Sequence, residues 1–564
     1  MGAANAGVVS VSLPYARMAN MTLVAPKTGR PELGEVFTQS WVVETILDLV
    51  GYTADRSLAD FTIVEPAIGA GAFVLPIVER LLASAAPNGL QVEKLVNAIR
   101  FFDLQRDHVT KSREIITRML CDNGLSNNSA QTIVGAWFRV SDFLLDETPI
   151  TADFVVGNPP YVRHDVICPD LMSKYRSRWT TMKGRVDIFV GFLEKSLSLL
   201  RVDGKLGFIC ADRWMRNYYG SSLRRLIGEK YSVEAIWQMH DVNAFEREVS
   251  AYPAITILAN QPQGSVTVLE ATAQFDSCEA GKAVQFSNSG KINGSGPGWT
   301  GTRMARWFRG PDFWPSGGPD RIRLLEDLAE RFPTLEETGN DTKISIGIAT
   351  GADQAYIVSA DADVEPDRLL PMVTARDIRS GRLETPTKVM INPWNDLGEL
   401  VELSSYPKLR RALAAHPAVA RRYVAKRNPE NWHRTIDKVH PGLQNKPKLL
   451  LQDMKAQITP VLEPGGYYPH HNLYYITSSG WDLEILGGLL LSRVAQAFIE
   501  SYGVKMRGGT LRFQAQYLRK IRVPMPETIN PELSERLRRA YQALDRDEAT
   551  RASELAYGLT EGVY

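Results

Sequence analysis

The stretch FTIVEPAIGAGAFVLPIVERLLA, residues 61–83, decides how the first half of the chain folds. Ile63 and Val64 end an apolar run that passes into Glu65-Pro66-Ala67. Gly69 and Gly71 then allow the backbone to turn tightly and lie close to a ligand. From 72 to 83 the apolar residues recur at helical spacing. A strand that passes through a glycine turn into a helix presents unpaired amides at the helix start, where a carboxylate or phosphate is favoured. Taken alone, such a turn is as often structural as ligand-binding.

The same alternation recurs on either side. The runs AIRFFDL (98–104), DFVVGNPPY (153–161) and KLGFICA (205–211) are apolar and end near acids, Gly or Pro. Helical spacing runs through WVVETILDLV (41–50), with Thr38 or Ser40 as its cap, and DIFVGFLEKSLSLL (187–200). Strands alternating with helices predict an α/β fold, doubly wound and Rossmann-like, with its ligand at the carboxyl ends of the strands. Asp103 closes the second run, where an acid accepts hydrogen bonds from ribose hydroxyls. Its distance from Gly71 exceeds the usual ~20 residues, which requires an added helix at 91–98. Asp142-Phe143 offers an acid for an adenine amine and a ring for the base face. Singly, Asp103 reads better as a solvated strand-end acid, and Asp142 equally well as a turn cap.

Asn158-Pro159-Pro160-Tyr161 follows the apolar run DFVVG directly. Two prolines cannot continue a central strand, so they fix a rigid turn that presents the Asn158 amide at the strand's carboxyl end. Such a turn suits chemistry on a weak amine. The N6 lone pair of adenine is delocalised into its ring. Hydrogen bonds from the N6 hydrogens to the Asn158 side-chain oxygen and the Pro159 carbonyl would localise that density for attack on a sulfonium methyl, with catalysis by positioning and electrostatics. Tyr161 would stack on a base taken out of the helix. The bland alternative is a structural Pro-Pro turn.

This set, in this order, resembles the gamma-class, TaqI-like adenine-N6 DNA methyltransferases of restriction–modification systems, from about residue 34 to 525. The resemblance implies S-adenosylmethionine as cofactor. Thr38 and Glu65, within the motif Glu65, Pro66, Ala67, Gly69 and Gly71, would contact its methionine part. Asp103 would hold the ribose, and Asp142 and Phe143 the adenine. It makes Asn158, Pro159, Pro160 and Tyr161 the catalytic turn and Phe245 a second aromatic on the flipped base. The sequence departs from many members at Gln39 (often Pro), Ile68 (often a small residue such as Cys) and Gln105 (often an acid). None of these removes an implied ligand.

The resemblance continues in ISIGIATGADQAYIV (344–358), YYPHHNLYYIT (467–477) and RGGTLRFQAQYLRKIRV (507–523), segments of a target-recognition domain. Charge agrees: Lys408–Lys448 holds eleven bases against two acids, and Lys505–Arg522 six bases and no acid, in a chain of net charge +1. That asymmetry is the footprint of a phosphate-binding face. Arg421, Arg422, Lys426, Arg427, Arg434, Lys505, Arg507 and Arg512 are the DNA-binding candidates. Interleaved Trp432, Tyr467, Tyr468, Tyr474 and Tyr475 are able to stack or to fill a core.

The expected organisation is an arm (1–30), a catalytic domain (31–262), a connecting region (263–340) that includes the Gly/Ser-rich loop 287–301, a mixed α+β recognition domain (341–526) and a helical tail (527–564). The four cysteines form no CxxC pair, which argues against a disulfide framework or structural zinc, and no metal is expected. With no signal peptide and no membrane-length apolar run, a soluble intracellular protein is expected, and the resemblance implies the cytoplasm of a bacterial or archaeal cell. The expected partners are double-stranded DNA and a separate cognate restriction endonuclease, the chain itself being a monomer. Asn-Pro-Pro-Tyr also occurs in enzymes that methylate protein glutamine or ribosomal guanine, which usually lack a large basic carboxyl-terminal domain. A cytosine-C5 enzyme needs a cysteine after a proline, and Cys168-Pro169 has the reverse order. Cytosine-N4 methylation and a non-catalytic DNA-binding subunit stay open as alternatives.

Overall fold

The structure is a computed structural model, and it describes residues 37–85, 89–246, 252–338, 341–503, 505–506 and 510–560. The expected arm, 1–30, and Arg507 lie outside the described residues. The chain divides into two compact units. One comprises residues up to Asp212 with Arg225–Thr267 and Ala271–Trp299, and the other Arg213–Arg224, Val268–Glu270 and the chain from Thr300 onward.

In the first unit the elements run α1 (Ser40–Val50), β1 (Ile63–Glu65), α2 (Val74–Ala85), α3 (Val92–Ala98), β2 (Ile99–Asp103), α4 (Arg106–Asp122), α5 (Asn127–Trp137), β3 (Phe138–Val140), β4 (Ala152–Gly157), α6 (Pro169–Arg178), α7 (Phe189–Leu199), β5 (Leu200–Ala211), α8 (Ser221–Lys230), β6 (Ser232–Gln238) and β7 (Pro253–Ala259). The strands lie in the order β3-β2-β1-β4-β5-β7-β6. β3, β2, β1, β4 and β5 pair in parallel. This is the doubly wound arrangement, and α3 is the added helix that the long interval before Asp103 requires. β1 and β4 are buried along their whole length, as parallel central strands must be. Their carboxyl ends, Glu65 and Gly157, come side by side at the switch point where ligands sit.

Three local details differ from expectation. β7 runs antiparallel to both of its neighbours, β5 and β6. No helix links β6 to β7 among the described residues, and without a crossover a parallel return has no route. The expected loop 287–301 instead holds strands Asn293–Gly296 and Trp299–Met304, joined through Pro297-Gly298. Gly298 has φ +80°, which suits the third position of a tight turn after proline. The cap of α1 is Gln39, with no side-chain bond from Thr38 or Ser40.

In the second unit an antiparallel sheet carries strands Lys343–Ile346, Leu473–Thr477, Lys448–Gln452 and Val461–Glu463 in that order. The tail is helical over Pro531–Ala543 and Arg546–Ala556. Its Leu537, Tyr541, Ala552 and Tyr557 belong to the same core as Leu486, Leu489 and Phe498. At Gly488 a Cβ would stand 2.5 Å from the Leu537 carbonyl, so the glycine is what lets the tail helix approach. No helix among the described residues is long and apolar enough to cross a membrane.

Candidate active site

A cavity of about 320 Å³ opens at the carboxyl ends of β1, β2 and β4. Its walls include Thr38, Glu65, Pro66, Ala67, Gly69, Asp103, Asp142, Phe143 and all of Asn158, Pro159, Pro160 and Tyr161. Residues more than a hundred positions apart thus share one hollow. Gly71 stands behind it, at φ +91°, where the chain turns into α2.

Each wall has a physical support. Gly69 has φ +49° and its N–H donates to Asp103 Oδ2 at 2.8 Å, while the Gln105 N–H donates to Asp103 Oδ1 at 2.7 Å. One carboxylate therefore ties the first and second strand-end turns together; His108 Nδ1 lies 3.5 Å from Oδ1, and Oδ2 keeps a second acceptor site. Gln105 contributes its backbone here, so an acid at that position is not needed for the turn. Asp142 accepts from Tyr175 Oη at 2.7 Å and from the Leu144 N–H at 3.0 Å. Phe143 stacks on Phe192 at 5.4 Å, with Phe102 on edge at 5.3 Å.

The Asn158 turn is held from the other side. Asn158 Nδ2 donates to Thr38 Oγ1 at 3.2 Å, which fixes the amide plane and puts Oδ1 at its opposite edge. This explains why Thr38 does not cap α1. Thr38 in turn bridges Phe245 in antiparallel fashion, and the Gln39 N–H donates to the Ala244 carbonyl at 3.0 Å. A proline at position 39 has no N–H for that bond. The bridge sets Phe245 on edge to Tyr161, with ring centres 6.5 Å apart.

Glu65 is the electrostatic centre. It is 1 % exposed, and its Oε2 has no hydrogen-bond partner among the described residues. Burial, followed by the neighbouring Asp103 charge, holds its carboxyl pKa well above the ordinary range. A buried carboxyl of this kind suits a cationic ligand group, which would lower that pKa, draw off the proton and take up the oxygen.

Two supports were not legible in the sequence. Lys195, on α7, donates to the Phe143 and Asp146 carbonyls and lies 4.6 Å from the Phe143 ring centre. Desolvation pushes its pKa down to about 8. In a sequence window it reads as the solvent face of an amphipathic helix. Tyr175, on α6, gives no signal either.

The basic region divides into exposed and buried members. Arg421, Lys426 and Arg427 are exposed. Arg422 is a correction: it is buried, and its guanidinium donates to the Val419, Thr350 and Trp432 carbonyls and to Tyr356 Oη at 2.6–2.9 Å. It holds the unit together and has no face for phosphate. Arg434 is half-buried, 5.8 Å from the Trp394 ring centre. Arg512 pairs with Asp453, Arg519 with Glu336 and Lys520 with Asp312, so folding brings distant acids to a segment that has none of its own. Lys505 lies in a short strand opposite Leu511. Tyr468, Tyr474 and Tyr475 are buried in the core, and Trp432 and Tyr467 pack against it.

Residues 100–245 match the Eco57I restriction-modification methylase family. The chain is similar to the type II methyltransferase M.PaeR7I of Pseudomonas aeruginosa, 43% identical over 539 residues that span 94% of this chain and 93% of that one. It is 40% identical to the type II methyltransferase M.XhoI of Xanthomonas vasicola, over 94% of this chain and 98% of that one. Among solved structures, the type IIL restriction-modification enzyme MmeI in complex with DNA shares the fold, with a TM-score of 0.57 at 12% identity across 93% of this chain and 74% of that one.

Proposed function

The chain belongs to the type II, S-adenosylmethionine-dependent DNA methyltransferases of restriction–modification systems, and from that premise we propose that it methylates the N6 amine of an adenine flipped out of double-stranded DNA. The observation that carries this is the Asn158-Pro159-Pro160-Tyr161 turn. It borders the same cavity as Glu65, and its amide is pinned by Thr38.

The residues fit the cofactor on one test: Glu65 is a buried carboxylate with an oxygen lacking a partner among the described residues, matched to an ammonium or sulfonium. Bound S-adenosylmethionine supplies a methyl on a positively charged sulfur. Thr38 and Glu65 take its methionine end, Asp103 the ribose, and Asp142 with Phe143 the adenine. Asn158 Oδ1 and the Pro159 carbonyl accept the two N6 hydrogens of the target base and draw its lone pair out of the ring. Tyr161 and Phe245 pack on that base, at some cost in unstacking. Arg421, Lys426 and Arg427 contact phosphates. The protein acts as a monomer, one strand at a time, and a separate endonuclease is its partner.

Asn158→Ala tests the turn. We expect cofactor affinity within a few-fold of the parent and methyl transfer slowed about 100- to 1,000-fold, the usual cost of removing one positioned electrostatic group. Near-parental single-turnover rates would remove the role given to the amide.

A further inference from the structure

Asp353, His470 and His471 meet in the second unit, with one ligating atom from each within 4.8 Å of the others. We propose that these three side chains form a binding site for a divalent transition-metal ion of the zinc type, and that the ion fastens the 349–353 loop to the 468–473 turn.

Three observations carry it. The spacing suits coordination. His470 Nε2 lies 3.1 Å and His471 Nδ1 4.0 Å from Asp353 Oδ2, and ligands at ~2.0–2.2 Å from a tetrahedral ion stand a little over 3 Å apart. The groups are available. His471 Nδ1 is buried with no hydrogen-bond partner among the described residues, and His470, only 6 % exposed, turns Nε2 to Asp353 Oδ2 in a hydrogen bond that the ion would replace. The surroundings are built to hold them. Thr350 Oγ1 donates to Asp353 Oδ1 at 2.5 Å, which orients the carboxylate and leaves Oδ2 toward the imidazoles.

The backbone is equally fixed. Ile348 bridges His470, the Ile348 N–H donates to the Pro469 carbonyl at 2.9 Å, and the His471 N–H donates to the Ile348 carbonyl at 3.1 Å. Asp353 is 42% exposed, so water has access to complete the coordination shell. Two imidazoles and one carboxylate select zinc, cobalt or nickel over magnesium or calcium.

The test uses the full chain without a histidine tag, stripped with a chelator and dialysed against Zn²⁺ or Co²⁺. One equivalent of zinc per chain by elemental analysis is expected, with visible absorption bands of four- or five-coordinate Co²⁺. His471→Ala and Asp353→Asn should each weaken uptake about tenfold or more. An unchanged circular-dichroism spectrum and melting temperature in chelator verify that the variants fold, and Thr350→Ala supplies a milder perturbation with a smaller loss. Failure of the parent protein to take up either ion above background overturns the site. So does uptake that survives His471→Ala and Asp353→Asn together.

Discussion

The Asn158 turn and the basic stretch around Arg422 were both picked out by residue type, and folding treats them in opposite ways. Asn158 ends on a cavity wall with its amide held by Thr38. Arg422 is buried under four hydrogen bonds within its own unit. The difference lies in what each pattern constrains. Two prolines after an apolar strand fix a direction in space, because the backbone has almost no freedom there. A run of bases fixes only a sum of charge, and folding is free to spend any member of it on carbonyls or on acids from elsewhere, as Arg512, Arg519 and Lys520 show.

That contrast can be broken by mutation. The largest effect is expected at Glu65. Glu65→Gln removes the buried partner of the cofactor's cation and should weaken S-adenosylmethionine binding roughly 100-fold, the equivalent of about 3 kcal/mol. The cofactor-free protein should melt higher, since a poorly solvated carboxylate is gone. Equilibrium binding and calorimetry check both, and a lower melting temperature with intact affinity would contradict the assignment.

Next comes a paired test in the second unit. Arg422→Gln should cost about 2 kcal/mol of unfolding free energy, because it leaves buried carbonyls unsatisfied. Arg427→Gln should leave the melting temperature alone and lower the slope of log affinity for DNA against log salt by about 0.9. If the two variants exchange phenotypes, the division between structural and exposed bases fails.

Lys195→Met is smaller again. Losing the donor that anchors the Phe143 and Asp146 carbonyls should weaken cofactor binding about 3- to 10-fold, from about 1 kcal/mol, with little change in single-turnover rate at saturation. A loss confined to rate would place Lys195 in a different role.

The smallest effect is in pH. Burial and Asp103 raise the Glu65 pKa in the folded, cofactor-free protein, so the fold retains a proton that the unfolded chain gives up above about 4.5. Stability from this group therefore falls as pH rises from 4.5 toward the raised value. Binding a cation lowers the pKa again and releases the proton, so cofactor affinity should climb with pH across the same window. Titration calorimetry in buffers of different ionisation heat reads the released proton, and heats that do not depend on the buffer would count against it.

Much of the first unit was visible in the sequence because its signals are local. The apolar run before Glu65, the glycines at 69 and 71 and the strand before Asn158 each specify their own few residues, and the parallel sheet follows from their alternation with helices. What stayed hidden is non-local. Thr38 and Asn158 are 120 residues apart, and nothing near Thr38 distinguishes an orienting hydroxyl from a helix cap. Lys195 lies in a helix whose polar residues read as solvated. β7 reverses direction, and among the described residues no helix lies between it and β6. Gly/Ser richness at 287–301 masked a two-residue turn. His470 and His471 sit side by side in sequence, but their carboxylate partner is over a hundred positions away.

The most direct test of the account is the identity of the methylated base. Unmodified genomic DNA is incubated with the protein and methyl-labelled S-adenosylmethionine, then digested to nucleosides and separated. The label is expected to co-migrate with N6-methyl-2′-deoxyadenosine and to fall at least 100-fold with Asn158→Ala. Label in N4- or C5-methylcytosine, with none in adenine, would contradict it.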